Sequence, residues 1–234
     1  PVGSNRRMSF GVHGVFGYHG LPPTRSVLMY LLASTAPPLG NPRMLELLDA
    51  AWDWTSGPAP SGWRRTGTLA DEEGRILPVY AAPASEGGGP PHGRVFLARE
   101  AVPCADADAA LAVLRDPAWT PAVATVDPPS SGPLPPRFGD RAAIRPTWGR
   151  DALAADVAAE SPVLLIFSET WYPAWKGFVD GARVRILRAD LALRAIPVPA
   201  GSHTVRMLYD SCLFKLGLWL SCAAVVLLIL ALPV

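Results

Sequence analysis

The end of this sequence constrains it most. Leu216–Val234 reads LGLWLSCAAVVLLILALPV, nineteen residues without a charged side chain. As an α-helix rising 1.5 Å per residue, that run is about 28 Å long, close to the hydrocarbon thickness of a bilayer. Lys215 and Trp219 stand at its start, where an amine can snorkel to the headgroups and an indole suits the interface. A buried core helix is the competing reading, but core helices are usually shorter and amphipathic. The expectation is a transmembrane helix over residues 211–234.

The remaining composition narrows the function classes. With 21 Lys and Arg against 20 Asp and Glu, the net charge is +1. There is no basic excess to displace counterions from phosphates, which excludes an electrostatic nucleic-acid binder. Gly 21 and Pro 26 together make about a fifth of 234 residues, so turns and short strands should dominate over long helices. Cys104, Cys212 and Cys222 are too scattered for a disulfide framework or a metal-ligand spacing. The chain opens Pro1-Val2-Gly3 without a charged-then-apolar leader and reads as a piece of something longer.

Three proline residues in SSGPLPPR, Ser130 to Arg137, disfavour both helix and central strand and mark residues 128–139 as a linker. Beyond it, short apolar-alternating runs separated by turn signals predict an all-β sandwich over 140–210. Asp180-Gly181 is the clearest turn, since a type I′ hairpin needs positive φ at both central residues. Pro199-Ala200-Gly201 is a second. Residues 1–127 read as an α+β region. Apolar residues fall at helical spacing over Pro23–Ala33 and Pro42–Ala51, and Asp106–Leu114 is a short helix with acids in its first turn. Trp63–Leu69, Arg75–Tyr80 and Gly93–Ala98 have strand character.

Ser168–Tyr209, SETWYPAWKGFVDGARVRILRADLALRAIPVPAGSHTVRMLY, resembles the C-terminal extracytoplasmic domain of the YfhO-like bacterial membrane proteins. The shared pattern is a W-Y-P-x-W segment, a V-D-G hairpin, an R-A-D-x-A-x-R strand and V-P-A-G-x-H before a final strand and a membrane helix. Ala174 stands where that pattern has glycine. Phe16-Gly17-Tyr18-His19, Leu77-Pro78-Val79-Tyr80 and Gly93-Arg94-Val95-Phe96-Leu97 extend the resemblance upstream. The resemblance implies a polytopic cell-membrane protein with residues 1–210 outside the cytoplasm. It also implies a parent activity of moving a sugar from a polyprenyl-phosphate carrier to an envelope glycan, with the catalytic acid upstream of Pro1. A non-catalytic membrane-anchored module that binds glycan or protein is the alternative.

Trp171, Tyr172 and Trp175 are the candidate glycan-binding residues, because aromatic faces stack on the apolar faces of sugars. The favoured reading is structural: they plug one end of the sandwich or sit at a membrane interface. Arg183, Arg185, Arg188 and Arg194 form a basic set on adjacent expected strands. Arg183 and Arg185 share a face by period two and are candidate contacts for an anionic ligand, with Arg188 on the opposite face unless a bulge intervenes, and a solvated outer face is the competing reading. Asp106-Ala107-Asp108 resembles a metal-binding D-x-D, but a capped helix start explains both acids. Gly11, Gly14, Gly17 and Gly20 with His13 and His19 read as a loop rather than a ligand set. No nucleophile elbow, phosphate loop or zinc-protease helix occurs, and no catalytic, cofactor or metal residue is assigned.

Overall fold

The computed structural model describes residues 94–127, 134–149 and 152–231, the segments 52–54, 64–70 and 76–81, and the single positions 25, 29, 32 and 44. The glycine-rich segment with His13 and His19 lies outside the described residues. The strands in chain order are β1 Trp52–Trp54, β2 Arg64–Ala70, β3 Ile76–Ala81, β4 Val95–Ala98, β5 Glu100–Pro103, β6 Val123–Val126, β7 Ala143–Trp148 and β8 Ala152–Ala159. They continue as β9 Val163–Thr170, β10 Trp175–Val179, β11 Ala182–Val184, β12 Leu187–Ala189, β13 Leu193–Val198 and β14 Gly201–Tyr209. Helix α1 is Ala107–Arg115 and α2 is Cys212–Ala231.

The protein is mostly β-sheet with a C-terminal helix. One five-stranded sheet has the order β11-β10-β14-β8-β7, a six-stranded sheet has β4-β9-β13-β12-β6-β5, and β1-β3-β2 form a small third sheet. β9, Val-Leu-Leu-Ile-Phe at its start, is buried on both faces. One face, Val163, Leu165 and Phe167, joins Ile196 and Val198 of β13 and packs on Leu153, Val157, Val205 and Met207 of the five-stranded sheet. The other, Leu164 and Ile166, packs with α1 (Ala110, Leu114) and the helical Met29, Leu32 and Met44. An apolar run without alternation is what a strand sandwiched between two layers requires. β8 has water on one side and alternates buried with accessible residues instead.

The six-stranded sheet takes β4, β5 and β6 from before residues 128–139 and β9, β12 and β13 from after them. This corrects the expected division there: β4 pairs with β9 and β6 with β12, so both sides build one sheet. Nor is the described end of that stretch a free linker. Phe138 is buried, its N–H donates to Arg99 O, and Arg137 bridges to Glu100. Proline excludes a segment from a central strand but not from packing against a sheet edge.

RVRILRA, which alternates like one strand, is two. β11 belongs to the five-stranded sheet and β12 to the six-stranded one, so the chain changes sheets at Arg185-Ile186. Gly177 of β10 permits the crossing. A Cβ there would lie 2.8 Å from Ile186 Cγ1 and 3.2 Å from Val184 O, closer than side chains can approach without displacement. At the hairpin β10–β11, Asp180 and Gly181 have φ of +50° and +82°, as a type I′ turn demands.

Helix α2 directly follows β14. Its side chains are described from Cys212 to Val225, all exposed. Among the described residues no helix is long and apolar enough to cross a membrane.

Candidate functional site

The change of sheets at Arg185-Ile186 opens a cavity of about 390 Å³ lined by Trp171, Pro173, Trp175, Gly177, Arg183, Val184, Arg185 and Ile186. Four of the five candidate binding residues thus come together, although they arise from the β9–β10 connection, β10, β11 and the crossover. Tyr172 does not line it. That ring is exposed and stacks on Tyr209 at 6.4 Å between centroids.

Both indoles are half-buried and pack on the edge of the core between the sheets. Trp171 Nε1 donates to Ile186 O at 3.2 Å, which ties the ring to the crossover, and the Arg188 guanidinium lies 4.1 Å above the ring. Trp175 has Arg194 at 3.8 Å over its face and the Tyr209 ring edge-on at 5.4 Å. Each tryptophan is therefore both a structural plug and a wall of the cavity. Arg183 and Arg185 are exposed on its rim. Arg188 does not line the cavity: it lies on β12, in the six-stranded sheet beyond the change of sheets.

Behind this wall lies buried charge, and Arg194 of the basic set is there rather than on a solvated outer face. Arg194 is 4 % exposed, donates from Nε to Thr170 O at 2.9 Å and approaches Glu169, which also pairs with Arg94. Burial pulls the Arg194 guanidinium down to about 10, against the opposing pull of Glu169. Asp127, fully buried, pairs with Arg25 and lies 3.7 Å from Arg188. Asp190 Oδ1 accepts from Thr125 N and Oγ1 at 2.8 and 3.3 Å. Burial pushes the Asp190 carboxyl up to about 7, although those two bonds favour its charged form. Asp190 and Leu191 both have positive φ, a turn whose only sequence sign is an aspartate between two strand-like runs.

A second cavity of about 420 Å³ is lined by Arg145, Asp156, Asp180, Ser202, His203 and Thr204 among others. His203 Nδ1 lies 2.6 Å from Asp180 Oδ2 and Nε2 lies 3.1 Å from Ala200 O. The hydrogen bond to Asp180 holds the imidazole above its usual pKa. In its protonated form the imidazole donates from both ring nitrogens, to Asp180 Oδ2 and to Ala200 O. This histidine fastens two turns, since Asp180 Oδ1 also accepts from Thr204 N.

Asp106 is the N-cap of α1, its side chain accepting from Ala109 N at 2.9 Å, and Asp108 lies in the first turn. Among the described residues no group of three or more His, Cys, Asp or Glu could hold a metal ion. The chain matches no family model, and no curated protein or solved structure matches it.

Proposed function

We propose that this chain is a membrane-anchored, extracytoplasmic module that binds an acidic saccharide in the cavity walled by Trp171 and Trp175. The observation that carries this reading is the convergence of two indoles and two guanidinium groups, Arg183 and Arg185, on one cavity. Indole surface suits the C–H face of a pyranose. A guanidinium pair suits its carboxylate or phosphate, because the planar fork donates two parallel hydrogen bonds. Among the described residues the lining contains no carboxylate, so these residues supply neither a general acid nor a nucleophilic carboxylate for glycosyl chemistry.

The anchor is α2, twenty residues with Lys215 as its one charged side chain. The membrane reading rests on the sequence run Leu216–Val234, nineteen uncharged residues that as a helix would be about 28 Å long; the described part of α2 alone does not meet that length and apolarity. The YfhO resemblance would make the module the carbohydrate-holding part of a larger transferase of lipid-linked sugars.

Tryptophan fluorescence of the full chain in detergent micelles, titrated with a galacturonic acid oligomer and separately with a neutral glucan of equal length, tests the binding reading. Saturable binding of the acidic oligomer alone, abolished by Arg183→Gln with Arg185→Gln, is expected. Equal binding of both sugars, or no binding of either, would overturn it.

A further inference from the structure

The strand registers divide the sheet pair into two ends. Trp175 pairs with Tyr209 and Trp148 with Leu153, while Leu208 pairs with Ala152. These residues therefore share the end at which β14 passes into α2. Tyr172 and the Trp171–Ala174 connection lie there too, because Asp210 N donates to Ala174 O and Trp175 N to Tyr172 O. At the opposite end are the Asp180-Gly181 turn, Gly201 paired with Ala159, and Ser202 paired with Ala158.

The end joined to α2 is rich in exposed aromatic surface. Trp148 is 36 %, Tyr172 48 % and Tyr209 41 % exposed, and Leu213 and Phe214, 80 % and 71 % exposed, follow Tyr209 in the first turn of α2. Rings with an apolar body and a polar tip have their most favourable position at the headgroup level of a bilayer. Cations interleave with them. Arg94 lies 3.8 Å over the Trp148 ring and shares Glu169 with Arg194, and Lys176 and Lys215 share Asp210. Each carboxylate thus meets two cations, so among the described residues these six groups carry a net positive charge. Those two lysines hold the Asp210 carboxyl down to about 2, so the junction stays ion-paired at every physiological pH. Because Lys176 is on β10 and Lys215 on α2, Asp210 ties the first turn of the helix to the sheet and limits how far the sheets can swing away.

We propose that this end of the sheet pair rests on an anionic phospholipid surface, with Tyr172, Tyr209 and Trp148 at the headgroup level. The inference rests on the membrane reading of α2 and extends it. The sheets do not hang from a flexible tether but are seated on the bilayer, with the mouth of the tryptophan cavity beside the headgroups. Apolar aromatic surface supplies the contact, and the excess cations select negatively charged lipid.

The test uses the full chain reconstituted into phosphatidylcholine vesicles with and without phosphatidylglycerol, with the exposed Cys212 and Cys222 replaced by serine and the buried Cys104 retained. A polarity-sensitive dye is attached in turn at Tyr172→Cys, Pro173→Cys, Ser202→Cys and Leu218→Cys. Its emission and quenching by headgroup-labelled spin lipid are then read. In vesicles containing phosphatidylglycerol, the labels at 172 and 173 should be blue-shifted and quenched and the label at 202 should behave as in water. Labels at 172 and 173 as water-exposed as that at 202, with the label at 218 still in lipid, would overturn the seating and leave the membrane helix standing. A label at 218 in water would overturn both. Equal quenching at 172 and 173 without phosphatidylglycerol would overturn the requirement for anionic lipid.

Discussion

Replacing Asp190 by asparagine should make the protein more stable above neutral pH and leave it nearly unchanged in acid. Asp190 is fully buried, and its carboxyl is raised from 3.8 to about 7 by desolvation. Because the folded pKa lies above the unfolded one, the folded state keeps the proton longer, and stability falls as pH rises between these values. A shift of about 3 units at 1.36 kcal/mol each gives a total of about 4 kcal/mol lost by about pH 8. Asparagine resembles the protonated acid. Its carbonyl can accept from Thr125 as Oδ1 does, it tolerates the positive φ of +46° at this position, and it does not titrate. The variant should therefore gain roughly 2 to 4 kcal/mol over wild type at about pH 8 and almost nothing at about pH 4. Urea unfolding of both proteins in micelles, followed by tryptophan fluorescence across that range, reads the difference. Comparing the two cancels other titrations such as that of His203. A stability difference that stays constant with pH would refute the assignment of a buried, proton-retaining Asp190.

Three further expectations follow from the packing. Gly177→Ala should lower stability by about 1 to 3 kcal/mol and weaken saccharide binding, since the new methyl would press on Ile186 and Val184; thermal unfolding like that of wild type would contradict the tight crossing. Trp175→Ala should cost about 2 kcal/mol, because the half-buried ring loses the Arg194 and Tyr209 contacts; a loss above about 4 kcal/mol would mark it as a full core residue. Leu227→Arg should release the chain from carbonate-washed membranes, a central arginine costing about 2.5 to 3.5 kcal/mol on insertion; a wild type that itself washes off would remove the anchor.

Features fixed by neighbouring residues were legible in the sequence. Asp180-Gly181 can satisfy a turn with two positive φ values, Asp106 can cap the helix it precedes, and the alternation of β8 places its apolar residues on the core side. Features set by distant partners were not. Nothing local in Val95–Ala98 or Val123–Val126 shows that these strands join β9 and β12 across more than fifty residues. The split of RVRILRA is imposed by the close approach of Gly177, which the run itself does not contain. The candidate site was half visible. The aromatic and arginine residues could be listed, but their convergence depends on that split, and the burial of Arg194, Asp127 and Asp190 has no sign in the neighbouring residues.

The indole N–H resonances of the full chain in micelles, followed by NMR during titration with the galacturonic acid oligomer, test the binding site most directly. Trp119 is the internal control, being 4 % exposed with its Nε1 donating to Val123 O at 2.8 Å, in the other core cluster and outside the cavity lining. The account predicts that the Trp171 and Trp175 resonances shift and saturate together while that of Trp119 stays in place. Resonances of Trp171 and Trp175 that do not move when the oligomer is in excess, or that move no more than Trp119, would contradict it.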